Sequence, residues 1–311
     1  MFGGFMTGIL SRQVLPWLRL LRLPTVFTAL SNVLCGYFLA QRPQLTDLPL
    51  HSSLWLLLTA SSGLYLGGMV LNDFFDAALD ARERPERPIP SGRITRKAAG
   101  VLGFCLLGGG TLTAAAVGPQ SFLTALLIAA CVLSYNAGFK ATAFGPVFMA
   151  SCRLLNLLLG ASTLTLAAPA APPVLTAACS LFVYILGVTW FSRSEAGTIS
   201  RRGLLTGLTL VLLALLLDGY LVSRYAAGPA MLRGSGMGLL LLGLNLSMRA
   251  AAAISASRPK LLQQTVGLML LSLIFRDAML VFAVTGNAQL ALVVISLLIP
   301  ASLLKRIIPL S

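Results

Sequence analysis

The sequence predicts an all-α protein, a polytopic transmembrane helical bundle of nine to ten helices, and three observations carry that expectation. Apolar residues make up 57% of the 311-residue chain and charged ones only 10%, far from the composition of water-soluble domains. Apolar stretches long enough to cross a hydrocarbon layer of roughly 30 Å recur from end to end, so residues 1–311 read as one membrane domain with no sizeable soluble part. Basic residues gather between alternate stretches, as the rule that cytoplasmic loops are positive requires.

The N-terminal segment lacks the short apolar core and small-residue cleavage site of a secretion signal, and apolar character sets in at Leu23. The first span, 23–41, follows Arg12, Arg19 and Arg22 and precedes Arg42. The second, 54–72, leads into a polar segment with Arg82, Arg84, Arg87, Arg93, Arg96 and Lys97. The third and fourth, 99–117 and 121–138, share a short connection, and Lys140 follows them. The fifth and sixth, 146–167 and 174–191, lead to Arg193, Arg201 and Arg202. The seventh and eighth, 203–222 and 234–253, enclose Arg224 and Arg233 and lead to Arg258 and Lys260. The ninth and tenth, 262–284 and 288–304, end at Lys305 and Arg306, which a nine-span count stopping at 284 would leave on the opposite side.

With the N-terminus inside, the segments just named put 17 of the 23 basic residues on the cytoplasmic side and only Arg42, Arg224 and Arg233 on the other. The expectation is a multi-pass protein of an inner or plasma membrane, its basic face toward the cytoplasm and in contact with anionic membrane lipids. The net charge of +14 has its explanation there. With no soluble basic module to carry it, nucleic-acid binding is not expected.

Other site classes are thinly supplied. Cys35, Cys105, Cys131, Cys152 and Cys179 are scattered singly through apolar spans without metal-ligand or redox spacing. His51, the single histidine, falls in an outer loop, which excludes histidine acid–base chemistry at the cytoplasmic face. The two longest cytoplasmic segments, 73–98 and 192–202, lie four spans apart and hint at a twofold repeat. Gly63/Gly67, Gly203/Gly207 and Gly234/Gly238 read as places of close helix packing.

The segment Asn72 to Lys97 stands apart, with five of the nine acidic residues beside a run of arginines. Asp73, Asp76 and Asp80, three and four residues apart, fall on one face of a helix. They sit where an apolar helix meets water, at the end already made negative by unpaired carbonyls. A divalent cation compensates them most simply, since Mg²⁺ takes one or two carboxylates and fills its shell with water and phosphate oxygens. Neighbouring arginines, Arg87 and Arg93 among them, fit the same anion. Pro85, Pro88 and Pro90, then Ser91-Gly92, break the helix and fold the basic segment back. The residues therefore read as a Mg²⁺–diphosphate site at a membrane surface.

Asn72-Asp73-x-x-Asp76-x-x-x-Asp80, followed by Arg87-Pro88-Ile89-Pro90-Ser91-Gly92, resembles the first aspartate-rich motif of the UbiA superfamily of intramembrane prenyltransferases. Arg22-Leu23-Pro24-Thr25 resembles that family's entry motif, and Tyr135-Asn136-Ala137-Gly138-Phe139-Lys140 its tyrosine-to-lysine segment. The resemblance implies a UbiA-like bundle in which Asn72, Asp73, Asp76 and Asp80 form the catalytic set and hold Mg²⁺ on a prenyl diphosphate. Arg87 and Lys140 are then expected on the diphosphate oxygens, with Arg22, Arg93 and Tyr135 as further substrate contacts. The implied activity moves an isoprenoid chain from its diphosphate to an aromatic or other lipophilic acceptor.

The second cytoplasmic loop departs from the family pattern, which carries a further aspartate pair there. Thr189 to Gly197 offers one acid, Glu195, as a possible metal ligand, and Arg193 as a direct grip on the diphosphate. That slimmed motif and the tenth span resemble a divergent, EboC-type branch. The alternative it raises is a non-catalytic UbiA-like protein that binds or helps transport an isoprenoid or aromatic metabolite. Within spans, Arg153 and Asn156 lie one turn apart, and two readings are open: orienting an acceptor in a central cavity, or bonding to another helix. Arg276 and Asp277 are adjacent, so they point roughly 100° apart and are expected to pair with other helices rather than each other. Phe74, Phe75, Tyr65, Tyr135, Phe139 and Trp190 lie at a depth that suits stabilising an allylic cation, and also read as ordinary packing.

Overall fold

A computed structural model describes residues 14–164, 170–196, 200–256 and 258–307, without the side chains of residues 47, 49, 50, 194–196 and 307. Nine helical stretches among the described residues are long and apolar enough to cross a membrane, the last of them two consecutive short helices over 288–306, and a further apolar helix is shorter, so the chain is a multi-pass membrane protein. In order they are α1 (Val26–Gln41), α2 (Ser52–Phe75), the short α3 (Ala77–Glu83), α4 (Arg96–Ala115), α5 (Pro119–Ala137) and α6 (Gly145–Gly160). There follow α7 (Ala171–Ala196), α8 (Arg201–Tyr225), α9 (Pro229–Ala256), α10 (Pro259–Thr285), α11 (Ala288–Ser296) and α12 (Leu298–Ile307).

The ends follow local chemistry. Thr95 and Ser200 cap α4 and α8 by accepting from the amides of Ala98 (3.2 Å) and Gly203 (3.3 Å), and Asn287 caps α11. Prolines open α5, α6 and α10, where a missing N–H costs nothing. Two expected spans differ from the sequence reading. The fifth closes at Gly160 rather than 167, giving a helix of 16 residues, about 24 Å long. The tenth is split at Leu297 into α11 and α12. Pro300 cannot donate to the carbonyl of Ser296, where α11 ends, and is tolerated within the first turn of α12.

Helix α1 is the hub, packed by α2, α6, α7 and α10. Between membrane helices, where burial from water gives no driving force, small residues let backbones approach. A Cβ on Gly36 of α1 would strike the carbonyl of Leu157 in α6, and one on Gly160 that of Val33. On α2, Cβ atoms at Gly63 and Gly67 would meet the carbonyls of Leu106 and Gly103 in α4 at 2.8 and 2.9 Å. Helices α7 and α8 repeat the device, Gly187 facing the Gly207 carbonyl at 2.7 Å. The α2–α4 and α7–α8 pairs, which share this device, thus lie four spans apart. Gly234 and Gly238 differ, facing side chains of Phe282 and Met279 rather than backbone.

A buried polar chain crosses the bundle. Arg276 is fully buried and grips Asp218 of α8 with Nε (2.8 Å) and Nη2 (2.7 Å), while Nη2 also donates to the Ala177 carbonyl (2.9 Å). Its Nη1 reaches Asp277 at 3.0 Å, so the expectation that these neighbours do not pair is corrected. The angle between adjacent helical positions fixes where Cβ points, not where a guanidinium on a three-carbon stem arrives. Asp277 in turn accepts from Ser31 (2.8 Å) and Asn32 (2.7 Å) of α1.

Candidate functional site

The start of α1, the ends of α2, α5 and α7 and the start of α6 meet at one membrane boundary, and the expected site residues are carried there by those ends. Arg22 stands just before α1 in the left-handed region (φ 47°), its carbonyl accepting from the Thr25 hydroxyl at 2.7 Å. Its guanidinium reaches Asp73 at 2.9 Å. Beyond α3, the turn closed by Ile94 N–H to the Pro88 carbonyl (3.0 Å) and by Gly92 at φ 73° folds the arginine segment back. This buries Arg87 against Asp80 at 2.7 Å and within 3.5 Å of Asp73. Lys140, in the turn after α5, pairs with Asp76, and Asn72 donates to Asn136 at 2.9 Å.

The three aspartates therefore do not act alike. Asp73 and Asp80 are buried behind the site and hold Arg22 and Arg87, whereas Asn72, in the last turn of α2, and Asp76, the residue that closes it, line a cavity of about 250 Å³. Arg22, Arg84, Arg87 and Lys140 surround the mouth of that cavity. Below them its walls are mostly apolar, with Leu64, Met69, Ile128, Val132 and Met149, and carry Arg153 and Asn156. Arg87 is 5% exposed, and its Nε has no hydrogen-bond partner.

The remaining expected residues divide. Tyr135, Arg153 and Asn156 line the cavity. Arg193 is turned to the connection after α5, donating to the carbonyls of Lys140 and Thr142, and so ties the end of α7 to Lys140. Arg93 is exposed and away from the cavity lining. The side chain of Glu195 lies outside the described residues. Of the aromatic candidates only Tyr65 and Tyr135 line the cavity; Phe74 packs on Phe75 and Phe104, with the Arg96 guanidinium 4.8 Å from its ring centre. Arg84 and Asn136 line it too and were not singled out from the sequence, although Asn136 sits beside Tyr135 in the quoted segment.

Among the described residues no three His, Cys, Asp or Glu side chains form a ready metal cluster. Asn72 and Asp76 still offer hard oxygen donors side by side on the cavity wall. A Mg²⁺ ion that brings phosphate oxygens with it needs only one or two carboxylates, so this donor set fits.

Fold and site together define a class: a helical membrane protein with a largely apolar chamber whose mouth is cationic. The chain belongs to the UbiA prenyltransferase family, whose model matches residues 29–260. A digeranylgeranylglyceryl phosphate synthase from Metallosphaera sedula is 29% identical over 146 residues, 47% of this chain and 50% of that one. The chain thus spans about half the length of that curated relative, and 27% of a second synthase of the same name from Ignicoccus hospitalis. A solved digeranylgeranylglyceryl phosphate synthase superposes with TM-score 0.65 at 18% identity over 88% of this chain and 99% of that one. A UbiA homologue from Archaeoglobus fulgidus, solved with GPP and Mg²⁺ bound, gives 0.60 at 17% identity over 90% and 99%.

Proposed function

We propose that this chain is a Mg²⁺-dependent intramembrane prenyltransferase that moves an isoprenoid chain from its diphosphate to a lipophilic acceptor. The observation that carries the reading is the cavity itself, with four cations at its mouth, a single carboxylate among its lining residues and mostly apolar walls beneath. Arg22, Arg84, Arg87 and Lys140 are placed to hold a diphosphate. Asp73 and Asp80 act one step back, orienting Arg22 and Arg87. Asn72 and Asp76 would hold Mg²⁺, which neutralises charge growing on the leaving group. The C1–O bond breaks with its electron pair leaving on the diphosphate, the acceptor bonds to C1, and the acceptor's proton goes to water. The apolar walls keep water from C1 meanwhile.

The names of the curated relatives favour a glyceryl phosphate lipid alcohol as acceptor over an aromatic ring. The basic asymmetry of the loops supports a cytoplasmic mouth. In whole cells a membrane-impermeant maleimide should then fail to label an Arg82→Cys variant built without other cysteines, and should label it in inverted vesicles; labelling of intact cells reverses the topology.

A second reading, binding or transport without turnover, is favoured by one observation: each aspartate already has a cationic partner. Purified protein in lipid nanodiscs separates the two. With labelled geranylgeranyl diphosphate, Mg²⁺ and an acceptor panel, the enzyme forms product and Asp76→Ala lowers turnover at least about a hundredfold. Tight binding that ignores chelation, with no product from any acceptor, leaves the binding reading.

A further inference from the structure

We infer that the deep end of the cavity is a second anion site, with Arg153 as the anchor for an acidic group on the acceptor. The inference rests on the reading that a prenyl diphosphate occupies the cavity mouth. Arg153 lies eight residues into α6, about 12 Å along its axis from Gly145. Its guanidinium stands 4.9 Å from the ring centre of Tyr65, which lies about 10 Å along α2 from Asn72. Two helices thus give the same depth. A diphosphate held at the level of Asn72 and Lys140 is too short to reach Arg153 from there.

The surroundings of Arg153 leave it free to bind. Nη1 donates to Asn32 at 3.2 Å and Nη2 to Thr28 at 2.9 Å, both neutral. The remaining three of its five N–H groups have no protein acceptor among the described residues. It is 7% exposed, and that exposure is toward the cavity it lines. The nearest carboxylate in the hydrogen-bond chain, Asp277, is one residue removed, bonded to Asn32 rather than to the guanidinium. Asn156, by contrast, is committed, donating to the Ala29 carbonyl (2.8 Å) and accepting from Ser61 (2.7 Å). A planar guanidinium fixed by two neutral partners and flanked by a tyrosine ring presents a fork that fits a carboxylate or a phosphate. The acceptor would then carry its acid roughly 10 Å from the diphosphate, with its nucleophilic atom between, near C1.

The test is calorimetric titration of the full chain in nanodiscs with two matched probe pairs: benzoate against benzamide, and dioctylglycerol phosphate against dioctylglycerol. Geranyl diphosphate with Mg²⁺ serves as the control for the mouth. The acid member of at least one pair should bind over its neutral partner, and which pair responds tells carboxylate from phosphate. Arg153→Gln should weaken that acid about tenfold or more while leaving geranyl diphosphate binding in place. Arg153→Lys should keep the preference at lower affinity, and it decides the matter if the glutamine variant does not fold. Equal binding of acid and neutral probes, or an acid preference that survives Arg153→Gln, overturns the inference. So does geranyl diphosphate binding with no response to either acid. An acid preference without geranyl diphosphate binding would instead overturn the prenyltransferase reading and leave the anion site standing.

Discussion

A fully buried arginine inside a membrane protein is tolerated only while its charge is matched. Arg276 meets that condition with Asp218 on one side and Asp277 on the other. Replacing it with methionine leaves two buried carboxylates without their cation and should cost about 3–5 kcal/mol, seen as a large fall in thermal midpoint of the purified protein. Combining R276M with D218N and D277N should recover part of that loss, because the neutral amides no longer need the guanidinium. Equal stability of R276M and the parent would show that the cluster is not coupled as drawn. At this scale the sequence showed which residues were unusual but not whom they touch. The aspartates of the first motif were visible as a set, yet their division into one cavity-facing residue and two that hold arginines depends on where Arg22 and Arg87 fold back. No spacing rule within one helix carries that information.

At the scale of elements the sequence was more legible. Long apolar runs bounded by charge marked every long span, because length and hydropathy alone decide whether a segment can cross. The two departures have local causes. Pro300 divides the last span at a position where the apolar run is unbroken, so hydropathy does not register it. Helix α6 stops at Gly160, where the chain meets α1 backbone to backbone. That contact makes the α1–α6 seam brittle. Gly160→Leu should lower the thermal midpoint by an amount equivalent to at least about 1–3 kcal/mol and broaden the size-exclusion peak. The same change at Gly108, which has open space around it, serves as the control and should be mild. Similar losses at both positions would mean that the seam is not specially tight.

Taken whole, the molecule is asymmetric in function although its glycine-mediated helix pairs recur four spans apart. Every described residue lining the cavity lies between Arg22 and Asn156. Helices α7 to α12 supply none of them, and the buried chain reaches the cavity from that side only through α1: Asp277 bonds Asn32, and Asn32 bonds Arg153. Among the described residues, a compound that plugged the chamber would meet side chains from the first half alone. Resistance by direct contact could then arise, among the described residues, only there, whereas resistance arising in the second half would work at one remove, through the hub helix that both halves share or through Arg193, which holds the Lys140 carbonyl.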